Sequence, residues 1–449
     1  MAGALVALAL PVQAGAKNVG ALTQLRGRAG CVGDRDAKGC THARIGGQIA
    51  SVAISPESRN AYVSAHAGSV SVFTIKHGAL HQLRGRAGCV SRSFKLGCTR
   101  VPELTGAGGV TISPDGRNAY VGTARGVVEF TRDGHTGALR FRGCLNARGT
   151  GRCATLHGIP AGVGPLAVSR DGLTLYATAS VPTAPFGAKS AIAVFARNQR
   201  SGALRQLAGS RGCVNTDGSD GCARARALFG CWCGLAVSRD SKNVYVSSSR
   251  TTESSEDIGL AAFSRSSTGT LTQLAGTAGC ATKDGADGCA ATAFSEEYSV
   301  NSGGDLAVSP DGSGVYLAHE STFPEAQAGC LDNFVARLKR DAATGALGPL
   351  TGETPACGLS MTMSPDGGSL YTVSFFLSLV YNFARNPQGG SLRKNFCLTD
   401  SDADSGDDYC KLDSSLYLQP PQSITVSPDG RYAYLAAGEI VHVFSRVRL

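Results

Sequence analysis

One motif recurs seven times along this chain, and a sequence that repeats one unit folds as that unit repeated. The copies are Ile54-Ser55-Pro56-Glu57, Ile112-Ser113-Pro114-Asp115-Gly116, Val168-Ser169-Arg170-Asp171-Gly172, Val237-Ser238-Arg239-Asp240, Val308-Ser309-Pro310-Asp311-Gly312, Met363-Ser364-Pro365-Asp366-Gly367 and Val426-Ser427-Pro428-Asp429-Gly430. Serine can bond back to the backbone, proline pre-sets φ at the second position and glycine closes the fourth, so Ser-Pro-Asp-Gly reads as a type I turn. A tyrosine follows each copy: Tyr62, Tyr120, Tyr176, Tyr245, Tyr316, Tyr371 and Tyr434. Their spacing of 55 to 71 residues is room for four short strands and their loops.

Before each turn, large and small residues alternate, as in Val52-Ala53-Ile54 and Leu235-Ala236-Val237. Period two means strand, with the small position turned to a crowded axis and the large ones packed between neighbouring units. A third strand ends in an aromatic and a cation, as in Val443-Phe444-Ser445-Arg446, and a Thr-Gly-Ala-Leu hairpin such as Thr136-Gly137-Ala138-Leu139 opens a fourth. Glycine supplies the positive φ there. The predicted fold is all-β: a seven-bladed β-propeller of four-stranded antiparallel blades. The seventh unit stops at Leu449 with three strands, whereas Gly20–Leu25 is a fourth strand with no strand before it. A 3+1 velcro closure, with Gly20–Leu25 beside residues 439–446, completes the ring and removes both sheet edges.

The 449 residues would ordinarily suggest more than one domain, but the repeat predicts a single propeller over 17–449. With 59 glycines, 17% charged and 42% hydrophobic residues, the composition suits short strands and tight turns rather than disorder. Residues 1–16 read as a signal-peptide remnant: an apolar run, Ala2 to Val12, precedes small-residue cleavage sites, although a basic n-region is missing. The run falls short of the roughly 20 apolar residues of a membrane-crossing helix. Ten of the 16 cysteines pair at a separation of nine, Cys31/Cys40, Cys89/Cys98, Cys144/Cys153, Cys213/Cys222 and Cys280/Cys289, and Cys397/Cys410 is an expanded version. They lack the CxxC and histidine spacing of zinc sites, so they read as disulfides in the connections from an outermost strand to the next innermost one, on one face of the disc, formed in an oxidising, secreted or cell-envelope compartment. Cys330, in the long loop after Tyr316, is expected to pair with Cys357. Cys231-Trp232-Cys233 is too tight for an unstrained bond and is read either as a rare structural bridge or as a redox pair.

The Ser-Pro-Asp-Gly…Tyr-Val repeats resemble those of bacterial YVTN-repeat and lactonase-like seven-bladed propellers from Leu22 onward. The resemblance implies the fold, and it implies an active site of histidine, arginine and glutamate at the channel mouth in lactone-acting relatives. The residues leading into the inner strands here include Gln48, Gly164-Pro165, Gly234, Asp305 and Gln422-Ser423 but no histidine. That departure counts against a lactonase.

No nucleophile elbow, His-Glu-x-x-His, Walker loop or N-glycosylation sequon occurs. His42, His66, His157 and His319 fall in four loops of the disulfide face, where His319 with Glu320 is the candidate acid/base pair and scattered solvent-exposed histidines are the alternative. Gln48, His66, Trp232, Asp305 and Gln422 are the candidate ligand-binding residues. No cofactor is required. Asp400, Asp402 and Asp404 alternate as the first ligands of a Ca2+ loop do, but Gly406 comes one place late and the closing glutamate is missing, so a solvated acidic loop competes. The long loops at 179–190, 248–257 and 318–333 are expected to overhang this face.

Residues 1–226 carry 28 Lys and Arg against 10 Asp and Glu, and residues 227–449 carry 15 against 24. Ring order turns this into a basic and an acidic half-disc. The expected partner is an extracellular ligand such as an anionic polymer or glycan, bound by a monomer; nucleic acid is disfavoured because no aromatic residues interleave the basic ones. The leading reading is a secreted binding or scaffold protein using the disulfide face, and the alternative is a lactonase or cycloisomerase at the channel mouth.

Overall fold

The computed structural model describes residues 19–448 apart from 35–36, 38, 94–96, 160–161, 182–188, 231–233, 252–255, 293–304, 320–333, 356–357, 359, 375–377, 401–409, 414–415, 417 and 419–420. The expected signal-peptide remnant, residues 1–16, lies outside the described residues. Seven sheets, antiparallel but for a short outermost strand in most of them, follow one another as blades of a closed β-propeller. Their inner strands are Ile49–Ile54, Ala107–Ile112, Val163–Val168, Leu235–Val237, Leu306–Val308, Ser360–Met363 and Pro421–Val426, blades 1 to 7 in that order. Each inner strand is an end strand of its sheet, so its free edge borders the central channel.

The turns form as their chemistry dictates. In blade 2 the Gly116 N–H donates to the Ser113 carbonyl at 2.8 Å. The Ser113 hydroxyl donates to the Asp115 carboxylate at 2.6 Å and accepts from the Asn118 N–H at 3.0 Å. Gly116 sits at φ 69°, and where blades 1 and 4 lack this glycine, Ser58 and Ser241 are held at φ 57° and 61°.

All seven tyrosines are completely buried. A buried hydroxyl must find a partner, and each finds it in the next blade. Tyr62 donates to the carbonyl of Gly137, the hairpin glycine of blade 2, at 2.8 Å. Tyr120, Tyr245, Tyr316 and Tyr371 do the same to Gly202, Gly345, Gly390 and Gly20. The cation ending the third strand completes the latch. Arg197 donates Nε to the Tyr120 hydroxyl at 2.7 Å, one terminal nitrogen to Gly172 of its own turn, and the other to Asp115 and Asn118 of the preceding blade.

Blade 7 closes as expected and further. Leu22–Gln24 pairs with the third strand Ile440–Arg446 in the register Leu22↔Arg446, and Cys31–Gly33 adds Cys31↔His442 to the same strand. The fourth strand is therefore split, with a 3-10 out-turn at Gly27–Gly30 between its halves. Blades 1, 3 and 4 share this device. A glutamine ending the first half spans the turn: Gln82 donates to Gly88, Gln206 to Gly212 and Gln273 to Gly279, at 3.0 to 3.2 Å. Glycine is required at the end of the turn, because a Cβ on Gly88 would lie 2.1 Å from the Leu83 carbonyl oxygen.

Two details differ from the sequence reading. The expected loops at 179–190 and 248–257 begin and end as strand, since Val181 pairs with Lys189 and Thr251 with Glu256; the ladder lengthens the hairpin before any loop starts. The first cysteine of each described pair lies in the fourth strand rather than in the connection after it. In blade 2, Cys144 and Cys153 sit opposite one another in parallel strands.

Candidate functional site

Among the described residues six disulfides are formed: Cys31–Cys40, Cys89–Cys98, Cys144–Cys153, Cys213–Cys222, Cys280–Cys289 and Cys397–Cys410. Bonds of this number form in an oxidising compartment, extracellular or periplasmic. Cys330–Cys357 and Cys231-Trp232-Cys233 lie outside the described residues. No described helix is long and apolar enough to cross a membrane.

The channel mouth on the disulfide face is ringed by the residue just before each inner-strand core: Ser51, Gly109, Pro165, Gly234, Asp305, Ser360 and Ser423. Asp305 is the one charged member. Its Oδ1 accepts the Leu306 N–H at 2.8 Å and its Oδ2 accepts the Met361 N–H of blade 6 at 3.0 Å, with the Ser360 hydroxyl at 3.5 Å. No described cation faces it. Burial therefore pushes the carboxyl up to about 6, against the pull of those hydrogen bonds. The turn aspartates behave oppositely. Burial also works against ionisation of Asp115 and Asp366, but serine hydroxyls, backbone N–H groups and the guanidiniums of Arg197 and Arg446 hold both carboxyls below the usual range.

Below the mouth, a cavity of about 380 Å³ is lined by inner strands of blades 2 to 6, with Met361, Met363 and Leu306 among its walls and Arg170 reaching it from the turn side. Because inner strands leave one ladder edge unpaired, the wall offers backbone N–H and C=O groups to a hydrated or hydroxyl-bearing molecule.

The remaining candidates are dispersed. The His66 N–H donates to the Gln48 carbonyl at 3.0 Å on blade 1, and partial burial lowers the imidazole pKa. Gln422 belongs to blade 7. Trp232 and Glu320 lie outside the described residues, and His319 ends a strand opposite Phe334. His157 is structural: its N–H donates to Gln206 and its ring meets the Gly209 carbonyl at 3.4 Å, which ties blade 3 to the chain arriving from blade 2. Among the candidate calcium ligands, Asp402 and Asp404 are outside the described residues. One Asp400 carboxylate oxygen is taken by the Leu418 N–H at 2.7 Å, and no group of three or more metal-ligating side chains occurs among the described residues.

Sequence reasoning singled out the tyrosines and the terminal cations separately and missed that they meet. It also missed the out-turns, although Leu-x-Gln-Leu-x-Gly ahead of the first cysteine recurs at Leu22, Leu80, Leu204 and Leu271.

No protein-family model matches the chain, and no curated protein does. Solved structures similar to it include a protein from Lactobacillus plantarum at 13% identity, covering 76% of this chain and 82% of that one with a TM-score of 0.52. Hydrazine synthase from Kuenenia stuttgartiensis matches at 15% identity over 94% and 97% with a TM-score of 0.51. A periplasmic gluconolactonase from Pseudomonas aeruginosa matches at 18% over 76% and 83%, TM-score 0.48. At such identities the likeness concerns the fold alone.

Proposed function

We propose that this chain is a secreted propeller that binds a hydroxyl-bearing or cationic small molecule at the channel mouth of its disulfide face, with Asp305 as the anchoring carboxyl. The supporting observation is that Asp305 carries a half-buried carboxyl without a cationic partner among the described residues, whereas the turn aspartates Asp115, Asp171, Asp311 and Asp366 are each bound to an arginine. A desolvated, unpaired carboxylate costs stability and is retained where a ligand uses it. A second reading draws on the same group. A carboxyl held near 6 can give and take a proton close to neutral pH, which hydrolysis or isomerisation of a lactone needs.

Sugar lactones serve as probes for both. Calorimetric titration combined with an acid-release assay should show binding without turnover, weakened about tenfold by Asp305→Asn, the loss expected for one hydrogen bond to a charged group. Turnover that disappears in the same variant supports the enzyme instead. Binding unaffected by the substitution removes Asp305 from both readings.

A further inference from the structure

A set of the described arginines holds blades together. Five donate to the latch tyrosines, Arg265 donates instead to Asp171 and Thr174 of the preceding blade, and Arg44 and Arg226 donate to carbonyls of the out-turns of blades 1 and 4, Gly85 at 2.8 Å and Gly276 at 2.9 Å. Among the arginines that do none of this, four lie on equivalent out-turns of neighbouring blades. Arg26 and Arg28 stand on the out-turn of blade 7, Arg84 and Arg86 on that of blade 1, all exposed, and none of their side chains makes an ion pair or hydrogen bond among the described residues.

The turn itself does not require them. Blades 3 and 4 build the same out-turn with Ala208 and Ala275 in the first position and Ser210 and Thr277 in the second. The backbone of Arg26, φ −73° and ψ 145°, matches that of Ala208 at −79° and 145°; Arg84 at −74° and 154° matches Ala275 at −74° and 153°. The arginines are therefore surplus to the fold, and they are placed together. Leu25–Val32 and Leu83–Val90 are identical in sequence, they occupy equivalent places on neighbouring blades, and the Gly27–Gly30 turn touches strand Ala79–Gln82 of blade 1. Residues 22–100 contain twelve Lys and Arg against three Asp and Glu, which equals the net charge of +9 of the whole chain. Of those acids, Asp34 is occupied by the N–H groups of Ile45, Gly46 and Gly47, and Glu57 by Arg132.

We infer that the outer wall formed by blades 7 and 1 binds a linear acidic polysaccharide, whose carboxylate or sulfate groups are taken by Arg26, Arg28, Arg84 and Arg86. A guanidinium presents paired N–H donors that match the two oxygens of such groups. Each contact is weak at an exposed site, but contacts after the first are intramolecular along one polymer, so four of them combine. Single-stranded nucleic acid needs aromatic platforms for its bases, and the large apolar side chains exposed among the described residues are Leu173, Leu412 and Val447, none aromatic. The wall lies half-way between the two faces and is separate from the channel mouth, so this inference stands or falls independently of Asp305.

The test measures binding of labelled heparin, labelled polygalacturonate and a labelled DNA oligonucleotide at low salt, the first two separating sulfate from carboxylate preference. Arg26→Ala, Arg28→Ala, Arg84→Ala and Arg86→Ala together should weaken binding of the preferred polysaccharide by about tenfold or more and flatten its salt dependence. The melting temperature should be unchanged, because blades 3 and 4 build the same turn with alanine in the first position and a small side chain, Ser210 or Thr277, in the second. A control that removes equal charge, Arg117, Arg148, Arg200 and Arg205 to alanine, should stay within about twofold of the native protein. Equal losses in both variants, failure of both polysaccharides to bind, or DNA binding more tightly than either and falling with the same four substitutions would each overturn the inference.

Discussion

Arg446 donates its Nε to the hydroxyl of Tyr371 at 2.9 Å across the boundary between blades 6 and 7, and that hydroxyl donates to the Gly20 carbonyl at 2.6 Å. Three segments far apart in sequence thus meet at one oxygen. The boundary between blades 7 and 1 is built differently. Ile75 stands where the other third strands carry arginine, Tyr432 stands where blades 1, 2 and 4 carry asparagine, and the two side chains belong to one apolar cluster. Tyr434 there keeps only its bond to the Gly78 carbonyl, at 3.1 Å.

Removing the hydroxyl should therefore cost more at one boundary than at the other. Tyr371→Phe leaves a buried guanidinium nitrogen and a carbonyl without their partner and is expected to destabilise by about 2 kcal/mol. Tyr434→Phe, with no arginine to orphan, should cost about 1 kcal/mol or less. Urea denaturation of the two variants against the native chain checks the order.

The amino-terminal strand closes the ring rather than decorating it. Leu22 is buried in a cluster with Phe444 and Tyr371, so Leu22→Asp places a charge where no cation waits. It should destabilise by about 3 kcal/mol or more, and deleting residues 1–26 should do at least as much by exposing the edge of strand Ile440–Arg446. Limited proteolysis, read as cleavage within blade 7, reports the opening.

Acid should loosen the latches. The carboxyls of Asp115, Asp171, Asp240 and Asp366 are held below their ordinary value of 3.8. Lowered folded-state values mean that the unfolded chain binds protons first, so this stabilisation is complete above about pH 4 and is lost as pH falls further. Denaturation midpoints measured from pH 7 to pH 2.5 should fall, and Asp115→Asn with Asp366→Asn should flatten the fall.

Asp305 should act with the opposite sign. Its raised value, about 6, means that the native state keeps a proton the unfolded state has released. Stability contributed by this group is present below about pH 4 and is lost as pH rises through 6. Asp305→Asn is expected to stabilise by about 1–2 kcal/mol at pH 8 and by much less at pH 4. A native chain no less stable than the variant at pH 8 would contradict this.

Each nine-residue disulfide loop limits the unfolded chain. In the chain-entropy description, losing one costs about 2.5–3 kcal/mol. Cys280→Ser with Cys289→Ser, a pair buried in its own small cluster with Ala227, should show a loss of that size in guanidinium melts run without reductant.

The repeat made the fold legible because every copy carries its own turn, strand pattern and hairpin, and local chemistry settles each of these. Blade number, closure and the six described disulfides followed from spacing alone. What the sequence could not show was which distant groups meet. Arg197 reads as surface charge until the ring sets it against Tyr120 and Asp115, and Asp305 reads as one acid among many until burial leaves it without a cation. Arg26 and Arg84 invert the lesson, since the same residue type in the same chain does no structural work. Sequence periodicity specifies contacts within a blade, where partners lie a few residues apart. The pairing between blades, and so the separation of structural charge from available charge, depends on the closed ring, which brings together residues 70 to 351 positions apart.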